Sequence, residues 1–204
     1  MRKGNNRQRI LSESIVLFNR SGIVAMTTNH ICHHLNISPG NFYFHFKSKE
    51  EVIRELFQLM CQETYATWLS RIQNEKELTP ITFLEDSLEI FWKFRFFHRE
   101  MYHLRRQDPE LNKIWHEHMR QSREFMELAY IKWVQNGLMR EVKDVKVRKV
   151  LTDITMITAS SFFLFMESPD KPAVQKPLEL AKEYVIFFLM PYLTPEYAAT
   201  IRKG

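Results

Sequence analysis

The chain has 204 residues, 45% of them hydrophobic, and a formal net charge of +5, which fits a folded protein with a sizeable core and argues against a disordered one. Five glycines argue against phosphate-cradling loops, dinucleotide-binding turns and many-hairpin β folds, and two cysteines, Cys32 and Cys61, make no disulfide framework, so a reducing cytoplasm is the default compartment. The charge is lopsided: residues 1–49 hold seven Lys/Arg against one acid, Glu13, a net of +6, while the rest holds 22 against 23. A polyanion-binding head on a near-neutral body would explain this; a solvated basic tail is the plainer alternative.

Nearly every segment repeats its apolar residues with a helical period, and none reads as a strand. Residues 7–21 place Ile10, Ile15, Leu17 and Phe18 near one stripe, with Gly22 as the stop. Thr27 or Thr28 can cap a short helix carrying Ile31, Cys32 and Leu35, ending at Asn36. Ser38 caps the next helix, Pro39 suits its first turn, and it finishes near Phe46. Ser48 with Glu51 forms a capping box for a long helix to about residue 74.

Residues 75–82 read as a loop, followed by a helix over 83–105. Asp108-Pro109 opens a short helix with Trp115, another helix covers 119–136, and Asp144 caps one over 145–167. A proline-rich connection, 167–177, leads to a last helix over 177–190 that stops at Pro191. The expected fold is all-α with about nine helices: a three-helix head over residues 1–50 and a six-helix body over 51–204. The most apolar runs, 154–166 and 184–193, fall short of the roughly 20 residues that span a bilayer, so no membrane partner is expected.

At 42–46 five rings stand in a row: Phe42, Tyr43, Phe44, His45 and Phe46. No one face of a helix can bury all five. They lie on the second of two short helices joined by a tight turn and preceded by a third, a helix-turn-helix whose second helix is sized for the major groove. Phe42 and Phe46, four apart, share a stripe with Leu35 and should be core. Pro39, Asn41 and Phe44 point broadly the other way, Tyr43 and His45 flank the stripe, and Gly40 would let a backbone come close.

The residues Thr27, Thr28, Ile31, Leu35, Ile37, Ser38, Gly40, Tyr43, His45, Phe46, Ser48, Lys49 and Glu50, with Phe18 and Gly22 upstream, closely resemble the DNA-binding segment of the tetracycline-repressor (TetR) family over about residues 8–57. Asn36 stands where the family usually has glycine, and Cys32 where it usually has alanine. Pro39 occupies a position that often reads bases, so the operator sequence does not carry over. The resemblance implies a homodimer on a palindromic operator in double-stranded DNA, assembled through about 145–167 and 177–190. It places Thr27, Thr28, Tyr43, His45 and Lys49 on phosphates. Pro39, Gly40, Asn41 and Phe44 would face base edges, with the cap Ser38 on the same surface. Arg2, Lys3, Arg7 and Arg9 would add salt-dependent attraction from an arm.

The body is rich in large rings and methionine. The bland reading is core; the sharper one is an apolar pocket for a small-molecule effector, drawing on Phe91, Phe94, His98, Tyr102, Trp115, Met119, Met126, Trp133 and Phe162. Effector binding would then shift the dimer between geometries and release the DNA, as a repressor does. His30, Cys32, His33 and His34 look like metal ligands, but no second ligand group sits at a standard spacing, so no metal and no cofactor is expected. No nucleophile motif, phosphate loop or paired acids point to an enzyme. The rival reading is a helical small-molecule carrier without DNA binding.

Overall fold

A computed structural model describes residues 3–74, 77–166 and 176–201. Among these residues it has ten α-helices: α1 (Lys3–Ser21), α2 (Thr28–Leu35), α3 (Pro39–His45), α4 (Lys49–Gln73), α5 (Pro80–Lys93), α6 (Arg95–Gln107), α7 (Pro109–Gln135), α8 (Val145–Met166), α9 (Pro177–Leu189) and α10 (Pro195–Ile201). A 3-10 turn at Met190–Tyr192 and one antiparallel bridge, Met139 to Leu193, complete the regular structure. The fold is all-α, as the periodicity indicates, with four departures in detail.

α1 starts at Lys3, so Arg7 and Arg9 are helical residues and not part of an arm. Arg7 pairs with Glu55 on α4 and lies over the Phe46 ring at 5.0 Å, while Arg9 donates to the Leu35 carbonyl at 3.4 Å. Arg2 lies outside the described residues. The helix expected over 83–105 is two helices that meet at Phe94. The two expected over 109–136 are one, because nothing between His116 and Arg120 breaks a helix. Pro191 does not end the chain's helices; Pro195 opens α10. Residues 167–175 of the proline-rich connection, and 75–76 of the preceding loop, lie outside the described residues.

The break at Phe94 has an identifiable cause. Asn19 on α1 donates its side-chain N–H to the Lys93 carbonyl at 2.8 Å and accepts from the Phe96 N–H at 3.2 Å. One amide thus satisfies two of the backbone groups that the interrupted helix releases, one on each side of the break. Arg99 adds a hydrogen bond to the Asn19 carbonyl at 2.8 Å. Phe94, Phe96 and Phe97 are fully buried, with Phe96 edge-on to Phe18 at 5.5 Å and Phe97 edge-on to Phe57 at 5.2 Å.

Two compact units result. The head unit comprises residues up to 62 together with 93–116, so it includes α6 and the start of α7 beside α1–α3. By packing it is larger than the 1–50 segment that the sequence marks by role. Asp108 caps α7 within it, accepting from the Glu110 and Leu111 N–H groups at 3.0 and 3.1 Å and pairing with Arg54 at 2.6 Å. The body unit comprises residues 63–92 and those from 117 onward.

In the body α8 packs on α9: Leu151, Thr155, Ala159, Phe162 and Phe163 are buried on one, and Ala181, Val185 and Leu189 on the other. α8 is long and apolar enough to cross a bilayer, unlike the shorter 154–166 run, but it is a packed body helix.

Replacing Asn19 by alanine removes the side-chain acceptor of the buried Phe96 N–H, at about 1–3 kcal/mol, together with its hydrogen bond to the part-buried Lys93 carbonyl. The urea midpoint of Asn19→Ala is expected to drop accordingly; an unchanged midpoint would mean that something else sets the break.

Candidate nucleic-acid interface

α2 is held at both ends. The Thr27 hydroxyl accepts from the His30 N–H at 3.2 Å, and the Thr27 N–H donates to His30 Nδ1 at 3.2 Å, a capping box with histidine in the place usually taken by Glu or Gln. His34 lies 3.0 Å from Glu13 on α1. Two of the histidines that look like metal ligands in the sequence are thus structural partners within the head. Asn36 closes the helix in the left-handed region at φ 52, donating to the Cys32 and His33 carbonyls. Ser38 Oγ then accepts from the Asn41 N–H at 3.2 Å, with Pro39 at the first helical position of α3.

α3 divides as its spacing requires. Phe42 and Phe46 are buried; Phe44 is 66% exposed and Tyr43 53% exposed. His45 is half-buried and edge-on to Phe44 at 5.0 Å. The Tyr43 hydroxyl lies 3.3 Å from Thr28 Oγ1, which brings two expected phosphate contacts side by side. Pro39 and Gly40 are exposed, and a Cβ at Gly40 would meet only Ser38 Oγ at 3.9 Å. Within the protein, alanine would fit there and favour the helix.

Two expected contacts are already engaged. Asn41 is half-buried and its Oδ1 accepts from Asn6 on α1 at 3.3 Å; Arg9 in turn donates to Asn6 Oδ1 at 3.2 Å. Lys49 directs its ammonium to the carbonyls of Ile23 and Met26 at 3.0 and 2.9 Å. Asn6 had no signal in the sequence, being 35 positions from its partner.

The nine residues expected around an effector fall into both units. Phe94, His98, Tyr102 and Trp115 belong to the head: Phe94 is fully buried, Tyr102 is exposed beside Arg106, and Trp115 lies under the Arg105 guanidinium at 3.6 Å. Phe91, Met119, Met126, Trp133 and Phe162 belong to the body. Of these, Met126, Trp133 and Phe162 are buried in one cluster, with Phe91 packed against it.

Around that cluster the structure adds polar groups, of which only Trp133 stood out in the sequence. Trp68 stacks on Phe83 at 4.9 Å and donates to Ser87 Oγ at 2.9 Å. Tyr65 stacks on Phe125 at 5.6 Å, and its hydroxyl lies 2.7 Å from His118 Nδ1. Burial pushes the His118 pKa down to about 4, so the ring is neutral near pH 7. Ser122 Oγ and Trp133 Nε1 are buried without a hydrogen-bond partner among the described residues.

The arrangement of α1–α3 defines a helix-turn-helix DNA-binding protein. Comparison with known proteins agrees. Residues 10–56 match the family described as "Bacterial regulatory proteins, tetR family", and residues 57–201 match "Bacterial transcriptional repressor" of the TetR type. The chain belongs to the TetR family of transcriptional regulators.

A TetR-family regulator from Marinobacter aquaeolei VT8 is 26% identical, with a TM-score of 0.83 over 100% of this chain and 98% of that one. AibR, solved in complex with isovaleryl coenzyme A and operator DNA, shares the fold at 16% identity and a TM-score of 0.65, over 89% of this chain and 96% of that one. An uncharacterized HTH-type regulator of Bacillus subtilis (strain 168), YerO, is 45% identical over 71 residues, 35% of this chain and 23% of its own length.

His118 gives a pH test of the buried polar groups. Its folded pKa lies below the unfolded value of about 6.5, so the unfolded chain takes up the proton first and stability falls as pH drops from about 6.5 towards about 4. Between pH 7 and 5 the loss should be on the order of 2 kcal/mol. Urea titrations at the two pH values are expected to show this increment in the wild type and not in His118→Asn.

Proposed function

We propose that the protein is a dimeric repressor that α3 seats in the major groove of a palindromic operator and that a small, mainly apolar effector releases. The observation that carries the DNA reading is the outward face of α3, where Tyr43 and Phe44 are exposed around an open Gly40. Tyr43 with Thr27, Thr28 and His45 binds phosphates; Ser38 and Pro39 lie at the entry of α3; and Phe44 touches thymine methyls. Asn41, oriented by Asn6, presents its amide to a base edge. Lys49, with two of its three donors on the turn carbonyls, keeps one for a phosphate. Residues 1–50 thus act as the DNA-binding domain and 51–204 as the regulatory one, in the cytoplasm where the chromosome is.

The dimer reading rests on an apolar stripe. Val147, Val150, Ile154, Ile157 and Leu164 are exposed on α8 at alternating three- and four-residue spacing, interrupted only by Ser161. Phe165 beside it and Phe187 on α9 are 79% and 82% exposed. Contiguous apolar surface of this kind marks an interface. The effector reading rests on the body cluster and on His118, Ser122 and Trp133, buried polar groups that are neutral and therefore suit an uncharged ligand portion. AibR shows that this fold has been captured with an acyl-coenzyme A and with operator DNA.

Selection of bound fragments from the native genome supplies the DNA for the tests. Tyr43→Phe is expected to weaken binding to all sequences, by about 0.5–1.5 kcal/mol for one hydrogen bond. Phe44→Ala should cost about 1–3 kcal/mol on the selected fragment only, relaxing one base pair; a uniform effect of both would mean that α3 faces the groove differently. Phe165→Glu with Phe187→Glu should convert a dimer into a folded monomer at micromolar concentration by light scattering, and an unchanged dimer would place the interface elsewhere.

A further inference from the structure

The turn between α1 and α2 is satisfied by partners from elsewhere in the head unit. Glu100 on α6 accepts from the Ile23 N–H at 2.6 Å through Oε1 and from the Val24 N–H at 3.1 Å through Oε2. Lys49 takes the Ile23 and Met26 carbonyls of the same turn. One carboxylate and one ammonium therefore hold donors and acceptors of a six-residue connection, with the strength of charge-assisted bonds. Gly22 sits at φ +77, and a Cβ there would stand 2.9 Å from Glu100 Oε1. The position thus needs glycine both for its backbone and for the approach of the carboxylate. Asn19 and Arg99 fasten α6 to α1 one turn away.

We propose that Glu100 is a positioning residue for DNA binding: its carboxylate clamps the α1–α2 turn, sets the angle at which α2 and α3 leave α1, and makes DNA affinity depend on where α6 lies. The proposal rests on the reading that α3 enters the groove. It gives a route from α6 to the recognition helix through the turn. A displacement of α6 either carries the turn with it or breaks two charge-assisted bonds.

The charge of Glu100 makes the test sharp. If the carboxylate were a bystander on a basic head, neutralising it would raise attraction to DNA, a polyanion. The clamp predicts the opposite sign for specific binding. With the genomic fragment selected by the wild type, Glu100→Gln is expected to bind about tenfold more weakly, while a shuffled duplex is bound equally or more tightly. Gly22→Ala, which displaces the carboxylate sterically, should show the same loss on the selected fragment.

An unchanged or raised affinity of Glu100→Gln for the selected fragment overturns the proposal. A second measurement needs no variant: the Ile23 and Val24 amide protons of the wild type should be shifted downfield and protected from exchange. Exchange at the rate of open loop amides would show that no clamp exists in solution. If Tyr43→Phe and Phe44→Ala weaken binding and Glu100→Gln does not, only the clamp fails. If those two α3 variants bind like the wild type, the reading of α3 itself fails.

Discussion

The head depends on the burial of two rings. A seven-residue helix does not hold together alone in water, and α3 has only the residues Pro39–His45. Phe42 and Phe46 supply what length does not, each worth on the order of 2–3 kcal/mol when fully buried. Their spacing of four then dictates the rest. Once those two side chains point inward, the turn of 100° per residue sends Tyr43 and Phe44 outward and leaves His45 between. The Ser38 cap and the left-handed Asn36 fix where α3 begins, so its facing and its register are set by neighbouring parts of the chain.

Those parts were legible because their signals are local. Thr27, Asn36, Ser38-Pro39 and the Ser48–Glu51 pair each act within four residues, and each acts in the structure. At α4 the box is offset: Glu51 N–H donates to Ser48 Oγ at 3.4 Å, but the Glu51 carboxylate accepts from Lys47 N–H at 2.5 Å. The break at Phe94 was not legible, since no glycine or proline marks it. Its cause is an asparagine more than 70 positions away that satisfies the interrupted backbone. The inward turn of Lys49 and the tie between Asn6 and Asn41 were hidden for the same reason. The aromatic content of the later chain announced packing without saying which unit each ring joins. Phe91 and Phe94 stand three apart and belong to different units.

Residue type alone does not assign a role where one chemistry serves two purposes. Three histidines and a cysteine within five positions resemble a ligand set. In place, His30 Nδ1 caps a helix, His34 faces Glu13, and Cys32 is buried. An imidazole nitrogen that accepts a backbone N–H does for Thr27 what a glutamate would do. The body holds the converse case. His118 carried no motif, yet burial pushes its pKa down to about 4.

The same distinction governs the charge of the head. Its +6 excess is a count of residues, not of free cations. Arg7 is paired with Glu55, Arg9 donates to the Leu35 carbonyl, and Lys49 holds the α1–α2 turn. Those three charges first hold the head together. Long-range attraction to DNA still follows the net charge. The release of counterions follows only the cations that reach phosphates. With several of them engaged in the fold, the reading proposed for α3 assigns to hydroxyls, rings and backbone approach at Tyr43, Phe44 and Gly40 a larger share of binding than the composition implies. These interactions are short-ranged and directional, so they depend on α3 being held at the correct angle. A head that uses its arginines and lysines as internal ties gives up some counterion release and gains that rigidity.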